Sequence, residues 1–119
     1  MKLKHFEMKE FACPCCGKVR MDGEFLKTLD MLREICGFPF RITSGYRCEK
    51  HNKEIGGVKD SAHVKGLAVD IAVGSSSQRY EIVENGIGLG IGRYGLAKSF
   101  VHIDIDPSKP QNVIWTYDK

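Results

Sequence analysis

Ser61-Ala62-His63-Val64-Lys65-Gly66-Leu67-Ala68-Val69-Asp70-Ile71-Ala72-Val73 is the stretch on which the reading of this 119-residue chain turns. Its second half, Leu67 to Val73, is the clearest strand in the sequence. Side chains alternate across a strand, so the bulky apolar residues fall on one face while Ala68, Asp70 and Ala72 fall on the other. The first face is built to pack on a core. On the second, a carboxylate flanked by two alanines has space above it, as the floor of a cleft requires.

Phe100 to Ile105 repeats the pattern, with Val101, Ile103 and Ile105 on one face and His102, Asp104 and Asp106 on the other. If the two strands are neighbours, Asp70 and His102 converge on one point. His63 lies seven residues before Asp70, and Gly66 between them permits a tight turn that swings the imidazole back over the strand. Two neutral imidazoles and one carboxylate suit zinc, and a fourth position left to water marks a catalytic rather than a structural site. Such a metal polarises a scissile carbonyl and acidifies water. The same residues have a plainer reading as a satisfied histidine beside a strand and an aspartate that caps a turn, and spacing alone leaves both open.

Upstream, Phe25, Leu29, Leu32 and Cys36 recur at helical spacing and predict a helix from Glu24 to Cys36, capped by Asp22 and stopped by Gly37 and Pro39. Phe40 to Thr43 reads as a short strand, Ser44 to Arg47 as a turn, and Lys50 to Ile55 as a short helix ending at Gly56-Gly57. Ser75 with Gln78 makes a capping box for a helix of about ten residues carrying Tyr80, Ile82 and Val83. Gly86 to Gly95 reads as turn or irregular strand, and the tail with Trp115 and Tyr117 as an edge strand. Its Gly90-x-Gly92-x-x-Gly95 pattern lacks the strand before and helix after that a dinucleotide site needs. The order of elements gives one α+β domain spanning 1–119, with 1–20 an irregular, cysteine-bearing segment.

Composition is that of a globular protein, 42% hydrophobic and 28% charged. No apolar run is long enough for a membrane span, and the charged start MKLKHFEMKE is not a secretory signal, so the expectation is synthesis in the cytoplasm. A formal charge of +3 from scattered lysines and arginines gives nucleic-acid binding little support. Nothing in the chain demands more than a monomer.

Ser44-Gly45-Tyr46-Arg47, His51-Asn52, Gly56-Gly57 and the opening stretch through Ile71 together resemble the signature of the D-Ala-D-Ala metallopeptidase family. That family takes in zinc D-alanyl-D-alanine carboxypeptidases, vancomycin-resistance dipeptidases and phage L-alanyl-D-glutamate endopeptidases, and the hedgehog signalling domain shares its fold. Phe100-Val101-His102-Ile103-Asp104 resembles the strand of the third ligand. The likeness covers 40–106, with a tail similar to short phage members, and reaches 1–20 only loosely.

The resemblance implies an antiparallel sheet with helices packed on one side and a zinc ion on the open face, held by His63, Asp70 and His102. It implies that Arg47 faces the substrate, where a guanidinium can steady an oxyanion or a carboxylate; the other reading of Arg47 is a surface salt bridge. Ser61 supports the loop or touches substrate. The implied substrate is the peptidoglycan stem peptide, and the implied setting a phage or prophage lysis enzyme that reaches the cell wall after release. A zinc-containing domain that binds wall peptides without cutting them is the alternative.

One departure stands out. Many members place an acid three positions before the last histidine as general base, and here that position is Ser99. Asp104, about 6–7 Å along the strand from His102, is the nearest substitute. It serves either as the base or as a partner that orients His102. Finally, Cys13-x-x-Cys16 and Cys48-x-x-His51 offer donors for a second, structural zinc, against which stands the plainer reading of buried free thiols.

Overall fold

The computed structural model describes residues 2–117. Its helices are α1 (Gly23–Cys36), α2 (Glu49–Glu54) and α3 (Ser76–Gly88), and its strands are β1 (Ile42–Ser44), β2 (Ala68–Ala72), β3 (Arg93–Leu96), β4 (Phe100–Asp104) and β5 (Val113–Thr116). The strands form one sheet in the order β1-β2-β4-β3-β5.

The two strands read from the alternating pattern are neighbours. β2 and β4 run antiparallel, with Asp70 opposite His102 and Ala68 opposite Asp104. Val69, Ile71, Val101 and Ile103, their alternates, have no exposed surface and form the centre of the core. Phe25, Leu26, Leu29 and Leu32 of α1 and Ile82 of α3 cover that face of the sheet. Each fully buried aliphatic side chain contributes on the order of 2 kcal/mol, so the register of β2 against β4 is fixed by the core.

The helix boundaries follow local chemistry. The Asp22 side chain accepts a hydrogen bond from the Phe25 N–H at 2.9 Å and starts α1, a cap that stabilises by about 1 kcal/mol. Gly37 ends the helix in the left-handed conformation. At α3, Ser75 Oγ accepts from the Gln78 N–H, and Gln78 reaches back to the Gly74 N–H, one residue earlier than a capping box would have it. α3 runs on to Gly88, through residues whose glycines predict a turn. Burial of Ile82 and Gly86 against the core supplies what their propensity lacks.

One expectation needs correction. The sheet is mixed rather than antiparallel, because β5 lies parallel to β3. Both edges of β4 are taken by β2 and β3. The chain leaving β4 therefore passes the end of β3 and pairs with its free edge in the direction that return leaves open. The irregular N-terminal segment, described from residue 2, also contributes to the core. Met8–Phe11 form a short 3-10 helix, and Phe6 and Phe11 enter the core beside Phe40, with ring centroids 5.3 Å apart for Phe6–Phe11 and 6.5 Å for Phe6–Phe40.

Candidate metal centre

The face of β2 and β4 turned away from the helices carries Asp70 and His102 side by side, with Asp70 Oδ1 3.0 Å from His102 Nδ1. His63 arrives from the loop before β2. Ser61 Oγ accepts from the His63 N–H at 3.1 Å, and the Gly66 N–H donates to the His63 carbonyl at 3.2 Å, closing the turn. Gly66 has φ +74°, and a Cβ there would sit 2.0 Å from the Arg20 carbonyl oxygen, so only glycine fits. The turn brings His63 Nε2 to 3.3 Å from Asp70 Oδ1. Donor atoms of His63, Asp70 and His102 all lie within 4.8 Å of one another.

The hydrogen bonding around these rings calls for a cation. His63 Nδ1 faces the Gly45 carbonyl oxygen at 2.9 Å. A carbonyl only accepts, so the proton sits on Nδ1 and Nε2 keeps its lone pair. That Nε2 is buried and has no hydrogen-bond partner among the described residues. His102 is placed similarly, with Nδ1 toward Asp70 and Nε2 2.7 Å from Asp104 Oδ2. Each imidazole thus turns a ring nitrogen toward an Asp70 oxygen. A divalent metal bound by one carboxylate and two imidazoles accounts for both approaches, and this donor set suits zinc.

The electrostatics tie the same groups to one another. Burial pushes the Asp70 carboxyl up, but the hydrogen bond with His102 and the closeness of the His63 ring outweigh it and hold the group well below the usual carboxylate range. Burial lowers the His102 imidazole, and its bonds to Asp104 and Asp70 overcome that and raise it. Asp104, also opposed by burial, is held down by His102, the Asp106 N–H and Arg93.

Above this floor lies a cleft of about 450 Å³, lined among others by Arg47, Ser61, Arg93, Lys109, Trp115 and Tyr117. Arg47 is no surface salt bridge. Its Nε donates to Ser44 Oγ at 3.0 Å, Nη1 to Asn52 Oδ1 at 3.2 Å, and Nη2 lies 3.6 Å from Asp70 Oδ2. Burial lowers its guanidinium and the facing Asp70 opposes this, so the cation is kept for the cleft. Ser99 is exposed in the loop between β3 and β4 and is not among the lining residues.

Arg93 was not legible as a site residue. It stands opposite Asp104 in the β3–β4 register, donates from Nε to Asp104 Oδ1 at 2.8 Å and from Nη1 to the Pro110 carbonyl at 2.6 Å, and stacks 4.9 Å from the Trp115 ring centre. The available signal was alternation in β3, where Arg93 and Gly95 share a face and Tyr94 takes the core side. Gly95 makes room for Trp115, since a Cβ there would meet the indole nitrogen at 2.6 Å. Trp115 in turn lies against His102, with ring centroids 5.4 Å apart.

An α+β domain with a His–Asp–His cluster at the floor of a cleft on its open sheet face is the arrangement of a metallohydrolase. The sequence profile of the family described as Peptidase M15 matches residues 4–104. The chain belongs to this family of zinc-dependent metallopeptidases, which is the D-Ala-D-Ala metallopeptidase family of the sequence resemblance. Comparison with curated proteins returned no match. Among the described residues, no helix is long and apolar enough to cross a membrane.

Proposed function

We propose that the chain is a zinc peptidase that hydrolyses a bond in the peptidoglycan stem peptide, as a D,D-carboxypeptidase or as an L-Ala-D-Glu or D,D-endopeptidase. A phage or prophage lysis enzyme is the setting that the family resemblance suggests. The observation that carries this reading is the unpartnered, buried Nε2 of His63 aimed at Asp70 beside His102, beneath a substrate-sized cleft. His63, Asp70 and His102 would hold the metal. A zinc ion there supplies Lewis-acid polarisation of the scissile carbonyl.

The chain's own residues do the rest. Arg47, fixed by Ser44 and Asn52, presents a permanent cation to the developing oxyanion or to a substrate carboxylate. Lys109 adds a second cation to the cleft wall, which suits the anionic stem peptide. Ser61 holds the His63 loop through its hydroxyl. Asp104 has both oxygens engaged, one by His102 and the other by Arg93 and the Asp106 N–H. Of its two readings, these contacts favour the one in which it orients His102.

Those same engaged oxygens, with serine at position 99, are what favour the second reading, a zinc domain that binds wall peptides without cutting them. Digestion of purified peptidoglycan by the zinc-loaded protein, read by mass spectrometry of new termini, separates the two. New D-Ala, L-Ala or D-Glu ends that vanish on chelation and in His63→Ala are expected and name the bond. Tight binding of one zinc in the cleft with no new ends would replace the peptidase by the binding domain.

A further inference from the structure

Three thiols gather at the other end of the site's supporting loops. Cys13 Sγ and Cys48 Sγ are 3.7 Å apart, and the thiols of Cys13, Cys16 and Cys48 all lie within 4.8 Å of one another. The Cys13-Pro14-Cys15-Cys16-Gly17-Lys18 segment folds into a tight turn. The Cys13 N–H donates to the Lys18 carbonyl at 2.9 Å, the Gly17 N–H to the Cys13 carbonyl at 2.7 Å, and Gly17 is left-handed. A turn of this shape puts the two cysteines of a C-x-x-C pair on the same side. Cys48 meets them from the loop before α2, with the Cys48 N–H 3.5 Å from Cys13 Sγ and the His51 N–H 3.4 Å from Cys48 Sγ. Backbone donors therefore point at two of the three sulfurs, as they do where sulfur carries negative charge.

Core packing does not account for the cluster. Cys13 is buried, but Cys16 is exposed and Cys48 only partly buried, so these thiols are not collected by exclusion from water. A disulfide would use two of them and leave the third beside it unexplained. Nucleophilic catalysis is no better, because no cysteine lines the cleft.

We propose that Cys13, Cys16 and Cys48 bind a structural zinc ion, separate from the cleft, with Cys15 or His51 as the neighbouring fourth donor. Thiolates select soft or borderline cations, and a sulfur-rich, closed set is the structural form of zinc coordination. The ion staples the N-terminal segment to the loop that follows Arg47, so it holds the wall of the cleft without taking part in its chemistry. The backbone joins the same two segments, the Tyr46 N–H donating to the Phe11 carbonyl at 2.9 Å.

The test is cobalt titration of the air-free, metal-stripped H63A/H102A protein, in which the cleft ligands are gone. One equivalent of cobalt per chain with intense thiolate-to-cobalt charge-transfer absorption, displaced by zinc, is expected. The band should persist in C36S on that background and vanish in C13S/C48S. X-ray absorption at the zinc edge of the wild-type protein guards against variants that do not fold, and it should show sulfur neighbours at about 2.3 Å. An absent charge-transfer band in folded H63A/H102A, a zinc shell of nitrogen and oxygen alone, or a Cys13–Cys48 disulfide in freshly isolated protein would each overturn the proposal. Loss of the peptidase reading would leave the sulfur shell untouched, so the two fail separately.

Discussion

Arg93 and Asp104 stand opposite each other on β3 and β4, and the guanidinium Nε lies 2.8 Å from the carboxylate on the far side of that group from His102. The result is a chain of contacts, Trp115 over Arg93, Arg93 to Asp104, Asp104 to His102 and His102 to Asp70, running from the cleft wall to its floor.

Removing the second link tests what Arg93 does. Arg93→Ala leaves a buried carboxylate short of its cation, a change that costs about 3 kcal/mol or more. Arg93→Lys keeps the charge but loses the fork to Pro110 and the stacking on Trp115, and should recover only part of it. Urea unfolding of the three proteins measures the order wild type, lysine, alanine.

Asp104→Asn keeps the shape of the side chain and removes its charge. If Asp104 orients His102, metal affinity should fall about 10- to 100-fold, and activity should return when zinc is raised. Unchanged zinc affinity with cleavage abolished would instead make Asp104 the base. Competition with a chromogenic chelator, alongside turnover at several zinc concentrations, tells them apart.

Gly66→Ala should destabilise the fold by about 2 kcal/mol or more, since alanine must take a left-handed φ and displace the Arg20 backbone. The same change moves His63, so zinc affinity should fall with stability. Thermal unfolding with and without added zinc checks both, the zinc-dependent rise in Tm being smaller in the variant.

Asp106 gives a pH prediction. Its carboxyl is pushed up by burial but brought down to about 2 by the Lys65 ammonium at 2.8 Å and by Ser108. A depressed folded-state pKa contributes stability above the ordinary carboxylate value of about 4, and that contribution is lost as pH falls through about 2. Asp106→Asn should therefore be less stable than wild type by about 2 kcal/mol at neutral pH. The gap should close between about pH 4 and 2, as followed by acid titration of the unfolding free energy.

How far the sequence revealed all this depends on whether the signal was local. Alternation in β2 and β4 is local, so the core face, the polar face and the candidate cluster were legible from Leu67–Val73 and Phe100–Ile105. The turn at Gly66 was legible for the same reason. The direction of β5 was not, because it depends on which sheet edge remains free once β2 and β3 flank β4. Arg93 was hidden in a glycine-rich stretch whose glycines read as turn, and its value comes from a partner on another strand. The part that the N-terminal segment plays in the core was hidden for a similar reason: Phe6 and Phe11 show no periodicity, yet the core has room for both.

One register sets both the core and the cleft. Sliding β4 by a single residue against β2 would turn His102 and Asp104 inward and Val101 and Ile103 out to the cleft. The fold and the candidate site therefore stand or fall together, since the residues that would hold a metal are gathered only in the register that also fills the core.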